Sequence, residues 1–128
     1  MSPQIALAAF ASIALAGCSA TAANPQPPSG PARIGQTVFV DGPHVTPIKV
    51  IEDSRCPINA RCVWAGRVVL RVKVTGGAWQ RTIDLTMGEP VQVADGGLTL
   101  VSVTPDKRTD LAIKPRDYRF AFTFHGGF

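Results

Sequence analysis

The sequence predicts an all-β domain: a small antiparallel β-sandwich or barrel of about seven strands, pinned by one disulfide. Three observations predict it. After residue 33 no stretch carries helical periodicity; proline and glycine break the chain about every 8 to 12 residues, and the pieces between alternate apolar and polar with period two. Two of these pieces fold back on themselves around glycine-containing turn dipeptides. Two cysteines, Cys56 and Cys62, lie close together in a domain small enough to gain from a covalent crosslink.

In chain order, short strands fit Thr37 to Val40 and Pro47 to Glu52. The clearest piece runs from Arg67 to Thr86, with Val68, Leu70, Val72 and Val74 pointing one way. A two-residue turn at Gly76-Gly77 would set Val74 opposite Trp79, Val72 opposite Arg81, Leu70 opposite Ile83 and Val68 opposite Leu85. A one-residue slip would turn the apolar faces out of match. The opposite face, with Arg67, Val69, Arg71 and Lys73, is mostly wet. A second hairpin, Val91 to Leu100, turns at Asp95-Gly96 and sets Val93 against Leu98 and Val91 against Leu100. The apolar phase then slips from Leu98 and Leu100 to Val101 and Val103, which predicts a bulge near Leu100. Thr104 to Lys114 is a polar loop. The last strand, Tyr118 to Phe124, carries four aromatics on one face and reads as a central core strand. These strands are mostly too short to span a bilayer, and Arg81 interrupts an apolar face, so an outer-membrane barrel is not expected.

The first residues have a different character. Ile5 to Leu15 is an uncharged apolar run of eleven residues, short of the roughly 20 a membrane span needs and suited to a signal-peptide core. Leu15-Ala16-Gly17-Cys18 follows and reads as a lipobox. Residues 1–17 are then a lipoprotein signal peptide, and Cys18 is the new, acylated N-terminus. A plain secretory signal cleaved near Ser19-Ala20-Thr21-Ala22 is the alternative, and the leader has no Lys or Arg before its apolar core. Ser19 follows the cysteine; resemblance to enteric lipoproteins, where Asp in that place retains the inner membrane, implies the outer membrane facing the periplasm. Residues 18–33 form the lipidated cysteine and a proline-rich tether, and residues 34–128 form the β domain.

The net charge of +4 belongs wholly to the part after residue 17. Its basic residues are scattered along strands with few aromatics among them, which excludes nucleic acid as a partner. They read as a solvated β-surface; rest on anionic lipid is the alternative.

The segment from Glu52 to Gly66 stands apart. With Cys18 taken by lipid, Cys56 and Cys62 are the pair left, and exported proteins usually join such pairs. Closing a seven-residue ring contributes about 2.4 kcal/mol through the unfolded chain. Asp53 and Ser54 suit the loop entry as acceptors, Arg55 can pair with Asp53 or Glu52, and Pro57 stiffens the turn. Trp64 can pack on the bridge and cap the core. Gly66 suits a bulge. The whole segment then acts as a structural plug; alternatively, Arg55, Arg61 and Trp64 form an exposed binding patch. Redox use fits poorly, because the spacing is not Cys-x-x-Cys.

Asp53-Ser54-Arg55-Cys56-Pro57, four residues, then Cys62-Val63-Trp64-Ala65-Gly66 resembles a DSRCP-x4-CVWAG motif found in many small bacterial exported proteins and lipoproteins of unknown function. The resemblance implies an exported compartment and a disulfide, and implies no activity.

Other chemistry finds little support. His44 and His125 are far apart, and a metal site would need both with Asp41 or Met87. Asp53-Ser54 is not part of a Gly-x-Ser-x-Gly elbow, and Glu52 and Asp53, as strand neighbours, point to opposite faces. No phosphate loop or dinucleotide fingerprint occurs. The expectation is a monomeric, non-catalytic lipoprotein of the bacterial cell envelope with a binding or structural role. It would hold the membrane through its lipid, have an envelope protein as possible partner, and need no cofactor or metal. A periplasmic inhibitor of a hydrolase, such as a lysozyme or protease, is the first alternative, on fold-level analogy; an enzyme or metal-binding protein is the second.

Overall fold

A computed structural model describes Gly17 and residues 29–126. Cys18, the rest of the leader and most of the tether lie outside the described residues, as does the lipidation expected at Cys18. The fold is all-β, with seven strands in two antiparallel sheets and one Cys56–Cys62 disulfide. The first sheet holds β1 (Val38–Phe39), β2 (His44–Asp53), β3 (Val68–Thr75) and β4 (Gln80–Thr86) in that order. The second holds β5 (Val91–Val93), β6 (Gly96–Thr104) and β7 (Arg119–Gly126). Each sheet is a meander of neighbouring strands, and the two do not close into a barrel.

One core joins both sheets, as period-two alternation dictates. Val68, Leu70, Val72 and Val74 of β3 are fully buried, and so are Leu98 and Leu100 of β6 and Phe120 of β7. Pro47 interrupts no ladder in β2. Its carbonyl accepts from Gly35 N–H, so the missing Pro47 N–H would point to that same side, beyond the end of β1.

Both hairpins pair two residues away from the expected register. In the first, Val74 faces Arg81 and Leu70 faces Leu85, so the loop is Gly76 to Trp79 rather than two glycines. An even shift keeps the apolar face inward. The longer loop lets Trp79 fold back onto the core; a Cβ on Gly76 would lie 2.2 Å from the indole nitrogen. In the second, Val91 faces Leu98 and Val93 faces Gly96, and the turn is Ala94-Asp95 with Ala94 at φ 53°. Gly96 is a strand residue, needed because β7 comes so close that a Cβ would meet the His125 carbonyl oxygen at 2.5 Å.

The bulge near Leu100 is present: Leu100 pairs with Phe122 and Ser102 with Ala121, leaving Val101 extra. Two more break β2, at Ile48 and Ile51. All three extra residues are apolar and exposed, because a bulge turns its unpaired residue out of the alternation. The aromatic last strand is not central. β7 lies at the edge of its sheet, covered by an isolated bridge from Ala32 to Phe120. Ala32, assigned to the tether by sequence, is therefore fully buried.

Candidate interaction tip

The loop between β2 and β3 crowns one end of the sandwich. β2 delivers Asp53 as its last residue, and Arg55 grips it with two hydrogen bonds, Nε to Oδ1 at 2.8 Å and Nη2 to Oδ2 at 2.9 Å. A bidentate fork of this kind fixes direction as well as distance. The same guanidinium donates to the carbonyls of Val103 (3.0 Å) and Pro105 (3.1 Å), where β6 leaves the second sheet. Tyr118, just before β7, donates its hydroxyl to Asp53 Oδ2 at 2.8 Å. Lys107 donates to the Asp53 carbonyl at 2.8 Å. The Arg55 and Asp53 side chains are only 14% and 8% exposed. This knot ties the end of the first sheet to both ends of the connection between β6 and β7.

The groups shift one another as that geometry requires. Burial alone would raise the Asp53 carboxyl, but the Arg55 and Tyr118 hydrogen bonds and the Arg55 charge together hold it below its ordinary value. The hydrogen bond to Asp53 raises Arg55, against the effect of burial. Tyr118 is pushed up to about 12, first by burial and then by the carboxylate it donates to. Its contribution to stability is whole below the ordinary tyrosine value of 10 and is lost as pH rises from there towards 12. Tyr118 is the sole tyrosine, so near-ultraviolet tyrosinate absorbance reads it alone. The native protein should titrate near 12 and Asp53→Asn should titrate lower; a native midpoint near 10 would contradict the knot.

The loop is closed at its neck and stiffened beyond it. Ser54 N–H donates to the Arg67 carbonyl at 2.9 Å, and Arg67 N–H donates to Ser54 Oγ at 3.0 Å. Glu52 pairs with Arg67 on the outer side, opposite Asp53. The Cys56–Cys62 bond closes the ring with its Cα atoms 5.8 Å apart. Ile58 N–H donates to the Lys107 carbonyl, and Asn59 exchanges two hydrogen bonds with Thr109.

What this framework holds out is apolar. Val63 is 100% exposed, Ile58 61% and Trp64 58%, with Arg61 exposed among them. Trp64 hangs from the neck by one hydrogen bond, Nε1–H to the Ser54 carbonyl at 3.2 Å. The residues expected to act together are thus divided. Arg55 is not part of an exposed patch, because its charge is spent on Asp53 and two carbonyls. Trp64 does not cap the core and lies at the surface with Arg61. Tyr118 and Lys107 were missed, since more than fifty residues separate them from Asp53. The lone tyrosine opening the last strand was the available signal, since a buried phenol needs an acceptor.

His44 lies edge-on to Phe39 in the first sheet, and His125 faces Gly97 in the second. Among the described residues, no three His, Cys, Asp or Glu side chains gather as a cation site. No family model, curated protein or solved structure matches the chain.

Proposed function

We propose that the protein is a non-catalytic lipoprotein of the bacterial cell envelope, anchored through Cys18, that binds an envelope protein through Ile58, Arg61, Val63 and Trp64. The outer membrane, on its periplasmic side, is the address this reading assigns. One observation carries it: three large apolar side chains stand exposed on a single loop that is nonetheless fastened by a disulfide and a part-buried ion pair. Exposed apolar residues gathered together mark interaction sites more than singly scattered ones do. Tryptophan and arginine are enriched among the residues that dominate binding energy. A loop already rigid loses little entropy on binding. The hydrolase-inhibitor alternative is the case in which that partner is a lysozyme or a protease.

A photo-crosslinking amino acid in place of Val63, in intact envelopes, tests the reading. It should capture one protein, and adding Trp64→Ser should abolish the adduct. The same group at Val101, exposed on β6, should capture nothing comparable. Equal capture from both positions, or adducts to phospholipid alone, would overturn a protein-binding tip.

A further inference from the structure

The polypeptide enters the described fold beside β7, where Ala32 pairs with Phe120. Arg33 and Arg119 line one side of an open cleft of about 710 Å³ with Pro31 and Gln36. Ile34 borders this cleft and also a neighbouring, mostly apolar groove of about 450 Å³, which Ile48, Lys49 and Pro115 share. Arg119 donates to the Arg116 carbonyl at 2.9 Å, which places the turn Pro115–Asp117 on the same rim, with Lys114 just before it.

Charge is gathered on these segments in a way the linear sequence hides. They carry Arg33, Lys49, Lys114, Arg116 and Arg119 against one carboxylate, Asp117. The remaining eight basic and eight acidic residues cancel, so these segments carry the entire net charge of +4. None of the five cations makes a salt bridge among the described residues; Arg61, Lys73, Arg81 and Lys107 make none either, and Arg55, Arg67, Arg71 and Arg108 each pair with a carboxylate. Cations without a carboxylate partner, Arg119 among them although it donates to the Arg116 and Tyr118 carbonyls, beside exposed Ile48 suit a surface that is anionic outside and apolar within.

We infer that this basic face, around the point where the chain enters the fold, docks on the anionic phospholipid surface of the membrane that carries the anchor. The orientation part of this inference rests on the lipid-anchored reading. Residues 19–31 separate Cys18 from Ala32, and the fourteen steps between them span at most about 50 Å. That reach keeps the domain close to the bilayer, and the chain enters the fold at Ala32, beside the basic face. Tethering turns a weak surface attraction into an intramolecular one at high effective concentration. Each cation near such a surface contributes about fivefold in partitioning at moderate salt.

Co-sedimentation of the mature chain carrying Cys18→Ser, which needs no acylation, tests the docking. It should bind vesicles of phosphatidylcholine with about one-third phosphatidylglycerol, bind pure phosphatidylcholine far less, and be released by high salt. Removing Arg33, Lys49 and Arg116 as glutamine should weaken binding about 100-fold, while Arg33→Lys with Arg116→Lys should bind as the parent does. Lys73→Gln with Arg81→Gln, on β3 and β4, should change binding less than about twofold. Equal binding to both vesicles, no binding to either, or an equal loss from the β3–β4 pair would overturn the inference. Release by Val63→Ser with Trp64→Ser would make the tip the membrane contact and overturn it too. An unchanged melting temperature in the triple variant separates lost docking from lost folding. Metabolic labelling of the wild-type chain with a palmitate analogue reads the anchor separately. Label that persists in Cys18→Ser would overturn the anchor alone, and charge-independent vesicle binding would overturn the docking alone.

Discussion

Replacing Arg55 with methionine should destabilise the domain by about 2–3 kcal/mol in urea unfolding, short of the cost of breaking a fully buried ion pair because this one is part-buried. The cost arises chiefly from what is left behind. Asp53, 8% exposed, would keep a carboxylate with only Tyr118 and its local surroundings to satisfy it. The Val103 and Pro105 carbonyls would lose their side-chain donor as well. Adding Asp53→Asn should recover part of the loss, because the stranded charge is then gone. The pH dependence has a definite sign. Asp53 is lowered in the folded protein, so its stabilisation is present above its ordinary value of 3.8 and is lost as acid carries it through the lower folded value. Arg55→Met should flatten that acid limb. A cost under about 1 kcal/mol would mean that the knot does not hold the sheets together.

Gly66→Ala should be of comparable severity, at about 3 kcal/mol or more, by a different route. Gly66 sits at φ +67°, where a side chain costs about 1–2 kcal/mol. Its Cβ would also meet the Ser54 carbonyl oxygen at 2.0 Å and Arg55 Cα at 2.8 Å. Both are backbone atoms with no rotamer to escape into. Relief would have to open the Ser54–Arg67 neck and pull on Arg55. Gly77→Ala is the matched control: its φ is not positive, nothing lies within 4 Å of the new methyl, and stability should hold or rise slightly. Equal melting temperatures for the two variants would contradict the neck geometry.

The strands, their alternation and the bulge near Leu100 were legible because period-two burial repeats along each of them. Hairpin register was less so. Gly-Gly and Asp-Gly signal turns by backbone freedom, yet Gly76 and Gly96 are needed where an indole and a neighbouring strand come close. That requirement is tertiary and leaves no local trace. The same holds for the tip. The Cys56–Cys62 pair and a partnership of Arg55 with Asp53 could be read within a few residues. The burial of Arg55 depends on Val103, Pro105 and Tyr118, and the exposure of Trp64 on a loop that turns it away from the core. The basic face likewise comes from three segments that meet only on folding.

The loop between β2 and β3 divides into inner residues that hold the fold and outer residues that are exposed. Urea unfolding of Val63→Ala with Trp64→Ala, in the mature chain with its disulfide intact, tests that division directly. Only one exposed hydrogen bond, from Trp64 to the Ser54 carbonyl, is lost, so the cost should stay under about 1 kcal/mol. A loss of about 3–5 kcal/mol, the range for truncating a buried tryptophan, would contradict it and return Trp64 to the core.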